Sequence, residues 1–89
     1  MIKRQVVIQN KLGLHARASA CFVAEASKFN SHVQVQYQDY EVNGKSIMGI
    51  MMLAAAKGAE ITLIASGDDE HEAVLALETL VNQRFGEDA

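Results

Sequence analysis

The stretch HVQVQYQ, His32 to Gln38, constrains the fold of this chain more than any other segment. Val33, Val35 and Tyr37 alternate strictly with His32 and a row of glutamines. A side-chain period of two belongs to a strand with one buried face. Gln34, Gln36 and Gln38 suit water, so the sheet holding this strand is expected to be covered on one side only. The covering layer has to come from amphipathic helices elsewhere. From Ala16 onward, Phe22, Val23, Ala26 and Phe29 recur at helical spacing, with Glu25 and Lys28 opposite, and Asn30 is expected to end that helix. Asp69 followed three residues later by Glu72 has the pattern of a capped helix start. Ala73, Val74, Leu77, Leu80 and Val81 continue that helix, and Gly86 is expected to cap its end.

The remaining elements follow the same two periods. Ile2, Val6 and Ile8 predict a first strand. Asn10 to Leu14 is a loop containing Gly13, and Tyr40 to Val42 is a short return strand after HVQVQYQ. Ser46 precedes IMGIMML, a short apolar helix, and Lys57-Gly58 closes that region. Ile61, Leu63 and Ala65 alternate as a fourth strand. Proline is absent, so every turn must be built from Gly, Asn, Asp or Ser. The resulting order, β-α-β-β-α-β-α, predicts an α+β fold: a mostly antiparallel four-stranded sheet covered on one face by three helices, an open-faced two-layer sandwich.

Residues 1–89 are expected to form a single domain. A domain of this size has one modest core and little room for a deep cleft, so a large substrate would be met on the surface or on a partner. The net charge is −3 with no basic run, which argues against nucleic acid. A lone cysteine, Cys21, excludes an internal disulfide and fits a reducing compartment. The apolar stretch in MIKRQVVIQN is too short for a signal segment or a membrane span. These features together predict a cytoplasmic protein with no direct membrane insertion.

The segment with chemical promise is KLGLHARASACF, residues 11 to 22. A helix starting near Ala16 puts His15 at or beside its N-cap, where free N–H groups carry partial positive charge and favour anions. Arg17 adds a planar fork of donors suited to phosphate. The same field disfavours protonation of the imidazole, and a neutral ring keeps a lone pair that can act as a nucleophile. Phosphoryl transfer mostly requires positioning and charge neutralisation, which this arrangement offers. A plain surface histidine beside a helix start accounts for the same residues, and taken alone it is the commoner case.

Ser46 follows Asn43-Gly44-Lys45 and is a good N-cap. It is also open to phosphorylation, which would add about −2 of charge at a helix start. In the helix that follows, Ile50 and Leu53 can face the sheet. Ile47, Met48 and Met51 then face outward, and a methionine-rich apolar patch makes an adaptable docking surface. The alternative is a helix buried all round.

Other signals fail. Gly44-Lys45-Ser46 resembles the end of a P-loop, but position 39 is Asp where that motif needs Gly. His71-Glu72 begins a metalloprotease-like pair, but position 75 is Leu. His15, His32 and His71 are too far apart in sequence to suggest metal-ligand spacing, though folding could still gather them; no metal and no other cofactor is expected.

Two motifs, GLHAR at Gly13 to Arg17 and VNGKSIMGIMMLAAAKG at Val42 to Gly58, make the chain resemble the histidine-containing phosphocarrier (HPr) family of the bacterial phosphoenolpyruvate-dependent phosphotransferase system. The resemblance covers the whole length. It implies that His15 accepts a phosphoryl group on Nδ1 from phosphorylated Enzyme I and passes it to an EIIA protein or domain, with Arg17 neutralising the phosphate. It implies that Ser46 is the target of HPr kinase/phosphorylase and that this modification weakens Enzyme I docking. Ile47, Met48 and Met51, with Ala16 and Ala20, would form the shared docking face of a monomer, on a sheet ordered 1-4-2-3. Such a protein is the phosphorylated substrate of its neighbours, not a stand-alone enzyme. The alternative is a regulatory HPr-like module, of the nitrogen branch or kinase-controlled, that acts by binding proteins, without sugar transport. The family motif usually continues with Pro, where this chain has Ala18. Losing that preset backbone angle implies a slightly more mobile loop start.

Overall fold

A computed structural model describes all 89 residues. Strand β1 (Ile2–Val7) leads through a loop into helix α1 (Ala16–Ala26). Strands β2 (His32–Tyr37) and β3 (Tyr40–Asn43) form a hairpin, followed by the short helix α2 (Ile47–Met52). Strand β4 (Glu60–Ser66), helix α3 (Glu70–Asn82) and a single 3₁₀ turn at Arg84–Gly86 complete the chain. The sheet order is β1-β4-β2-β3, and all three pairings are antiparallel. The α+β open-faced sandwich expected from the element order is therefore the architecture observed.

Register explains the alternation seen in the sequence. On the helix side, Val6 stands opposite Ile61, and Leu63 stands opposite Val35, which faces Val42 in turn. Val33 stands opposite Ala65, which faces Ile2. Arg4 occupies the remaining inward position on edge strand β1 and escapes burial by pairing with Glu78 of α3 at 2.7 Å. The helices close over this face with Phe22 and Ala26 from α1, Ile50 from α2, and Leu77 and Val81 from α3, all in one core cluster. Burying each large side chain contributes about 1.5–3 kcal/mol.

Three helix ends differ from expectation. Helix α1 stops at Ala26, four residues before Asn30. Phe29 reaches the apolar interior from the turn that follows, against Ala65, Ala73 and Val74. Asp69 does sit at the N-cap of α3, but its side chain makes no cap bond. Its carboxylate instead accepts from the Asn30 and Ser31 backbone N–H groups and the Ser31 hydroxyl, tying α3 to the start of β2. The Ser31 hydroxyl, then the Asn30 amide, hold that carboxyl below its ordinary range. Helix α3 ends at Asn82, before Gly86. Arg84, Phe85 and Gly86 then all take positive φ, at 57°, 55° and 80°. A non-glycine residue pays roughly 1–2 kcal/mol in this region, and burial of the Phe85 ring returns a comparable amount.

Candidate functional site

The loop that carries His15 is pinned to the segment after α2. The Leu14 amide donates to the Ala55 carbonyl at 2.9 Å. The Ile8 amide donates to Ala59, and the Gly58 amide donates back to Ile8. Gly13 sits in the left-handed region at φ +66°, and a Cβ there would lie 2.4 Å from the Ala55 carbonyl oxygen. Only glycine lets the two segments approach this closely. Helix α1 starts immediately afterward, with extended His15 as N-cap at φ −72°, ψ 179°. The His15 carbonyl accepts the first helical bond from Ser19, whose hydroxyl donates to the Leu14 carbonyl. The imidazole makes no cap bond to its own helix.

His15 and Arg17 line one open depression with Lys11, Leu12, Glu87 and Ala89. The ring is half-buried and Arg17 is exposed in the first turn of α1. The structure thus brings His15 and Arg17 together at a helix N-terminus, with Lys11 as a second cation nearby. Ala18 lies within the same first turn, fully buried in the core beside Leu14 and Phe22. Its amide precedes the first intrahelical bond, so the helix start is regular without proline.

Glu87 and Asn10 were not singled out from the sequence. Glu87 Oε2 lies 2.6 Å from His15 Nε2, and Oε1 accepts from Asn10 Nδ2 at 3.0 Å. The same Asn10 nitrogen donates to the Gly13 carbonyl at 2.8 Å, and Asn10 is completely buried. Burial pushes the Glu87 carboxyl up. The hydrogen bonds from Asn10 and His15, with the charge of Arg17, outweigh it and hold the group below its ordinary range.

Ser46 is the N-cap of α2, and its hydroxyl oxygen accepts from the Gly49 amide at 3.1 Å. Ile50 and Leu53 are buried while Ile47, Met48 and Met51 are exposed, as the helical spacing predicts. Ala16 and Ala20 are exposed on α1, which packs against α2. The exposed apolar surface also includes Met52, at 77%, and Leu12, at 67%. Met52 was legible in principle, since it stands four residues after exposed Met48. His32 and His71 are exposed at the start of β2 and in the first turn of α3. No three His, Cys, Asp or Glu side chains gather where they could hold a metal ion. No helix is long and apolar enough to cross a membrane.

Comparison with known proteins places these features in context. Residues 2–83 match the family model described as the phosphotransferase-system HPr component phosphorylation site. The phosphocarrier protein HPr of Neisseria meningitidis serogroup A is 59% identical over 87 residues, covering 98% of each chain. A crystal structure of HPr-C-His from Thermoanaerobacter tengcongensis superposes with a TM-score of 0.95 at 48% identity, covering both chains completely. The catabolite-repression protein Crh of Bacillus subtilis, solved as a dimer with a swapping domain, gives a TM-score of 0.76 at 45% identity. It covers 94% of this chain and 97% of its own.

Proposed function

This chain belongs to the HPr family of phosphocarrier proteins of the phosphotransferase system, and we propose that its phosphoryl acceptor is His15, loaded by phosphorylated Enzyme I and discharged to an EIIA protein or domain. The observation that carries this reading is the position of His15: an extended N-cap whose ring is free of its own helix, in an open depression shared with Arg17. The free N–H groups of the first turn and the Arg17 guanidinium would offset the charge of the arriving phosphate. Residues 1–89 act as one cytoplasmic carrier domain, working as a monomer. Ile47, Met48 and Met51, with Ala16 and Ala20, form the face on which partners stand. The direct test is incubation with Enzyme I and phosphoenolpyruvate, read by intact mass. One added phosphate, lost in acid, supports the reading; no phosphate with active Enzyme I removes it.

Ser46 would add regulation through an HPr kinase/phosphorylase. As a cap it already faces the Gly49 amide, so an anion there is favoured by the helix start and stands beside exposed Ile47 and Met48. Ser46→Asp is expected to keep the cap and weaken Enzyme I binding about tenfold, equivalent to ~1.4 kcal/mol. Unchanged affinity by titration calorimetry would remove the regulatory role.

The similarity to Crh favours a second reading, a regulatory module acting by protein binding alone. His15 with Arg17 weighs against it, and the same phosphorylation assay separates the two.

A further inference from the structure

We propose that Glu87 is a positioning residue for phosphoryl transfer: its carboxylate, steadied by Asn10, holds the His15 ring with its proton on Nε2 and leaves Nδ1 as the lone pair that attacks phosphorus. The inference rests on His15 being the acceptor and assigns the group that selects the reacting nitrogen.

The geometry permits one donor direction. An ionised carboxylate only accepts hydrogen bonds. Glu87 is held below the ordinary carboxyl range and is therefore ionised at neutral pH. Its Oε2 lies 2.6 Å from His15 Nε2, so that nitrogen supplies the hydrogen. In a neutral imidazole, the other nitrogen then keeps the lone pair. The carboxylate is itself oriented, because Asn10 Nδ2 donates to Oε1 at 3.0 Å and to the Gly13 carbonyl at 2.8 Å. Asn10 is completely buried, and its two acceptors fix which way the amide faces. Glu87, Asn10, Gly13 and His15 thus form one hydrogen-bonded frame.

The backbone leading to Glu87 supports a placed residue. Arg84, Phe85 and Gly86 are three consecutive left-handed residues. The Phe85 ring is anchored in the main core, and Arg84 Nη1 donates to the Asp88 carbonyl at 2.7 Å across the turn. This turn reverses the chain out of α3 and brings Glu87 against a ring 72 positions earlier.

The transfer step balances without proton exchange. The Nδ1 lone pair forms a bond to phosphorus as the bond from phosphorus to the donor breaks, and that electron pair leaves with the donor. The proton stays on Nε2. The ring becomes a cation beside the Glu87 carboxylate, which offsets the new charge. Onward transfer reverses each change.

Glu87→Gln tests the assignment with nearly unchanged shape. An amide can donate to Nε2 or accept from it, so it no longer selects a tautomer. Nitrogen NMR of the ring in mildly alkaline solution is expected to show protonated Nε2 and bare Nδ1 in the original chain, and averaged signals in the variant. Phosphoryl acceptance from Enzyme I should slow about tenfold, as when an orienting group is lost, with binding affinity for Enzyme I unchanged. An unaltered tautomer in Glu87→Gln, or an unaltered transfer rate, would overturn the proposal. An original chain that takes no phosphate overturns the carrier reading instead, and the nitrogen signals still show whether Glu87 sets the tautomer.

Discussion

A His15→Ala chain is expected to take up no phosphate from Enzyme I and phosphoenolpyruvate while keeping its fold. The substitution removes the imidazole that is proposed to accept the phosphoryl group, so the loss should be complete within detection by intact mass. The stability cost should be small. The ring is half-buried and absent from the core cluster, and its one hydrogen-bond partner is Glu87. The backbone carbonyl that starts α1 is retained, and alanine accepts the extended N-cap angles. A cost of ~1 kcal/mol corresponds to roughly 4–8 °C in melting temperature for a domain of this size. A residual acid-labile phosphate on the variant would move the acceptor elsewhere. A collapse of the melting transition would mean that the ring supports the fold, contrary to its position.

Gly13→Ala is expected to do the reverse and damage the fold first. A Cβ at this position meets the Ala55 carbonyl oxygen at 2.4 Å and the Ala56 Cα at 2.8 Å, both backbone atoms. Neither can turn aside as a flexible side chain would. The positive φ adds roughly 1–2 kcal/mol for any residue with a Cβ, and forcing atoms into a packed site adds about 1–3 kcal/mol. A total of ~3 kcal/mol lowers the melting temperature by roughly 12–24 °C. The amide of Leu14 bonds to Ala55 beside this contact, so the His15 loop moves with it and phosphoryl acceptance falls as well. Thermal melting followed by circular dichroism checks the first effect. A variant melting within a few degrees of the original would show that the segment after α2 yields easily.

These expectations show which features the sequence makes legible. Alternation in His32 to Gln38 and helical spacing around Phe22 and Leu77 report burial directly, because each depends on neighbours only a few residues away. The same logic separated buried Ile50 and Leu53 from exposed Ile47, Met48 and Met51. Sheet order was another matter: it came from family resemblance, since periodicity carries no information about which strands pair. Helix ends misled where an apolar residue served a different element. Phe29 continues the spacing of α1 yet packs from a turn, and Gly86 has the form of a cap yet follows two left-handed residues. Asp69 matched a capping pattern, but its carboxylate found better donors at Asn30 and Ser31, 39 and 38 positions away. Glu87 was illegible for the same reason. Nothing local marks an acidic residue that meets a histidine across the whole fold.

The one-sided construction of the molecule also sets a limit on time. All three helices pack into one core on a single face of the sheet, and His15 lines one open depression, so two large partners would compete for its ring. With His15 as the proposed acceptor, a donor would have to depart before a recipient arrives, and residence on each would become part of every cycle. With association near ~10⁷ M⁻¹s⁻¹, a carrier exchanging partners about 100 times per second needs dissociation constants no tighter than about 10 μM. Weak grip on its partners is then a working requirement of such a shape, and a variant that bound Enzyme I far more tightly would deliver phosphate more slowly.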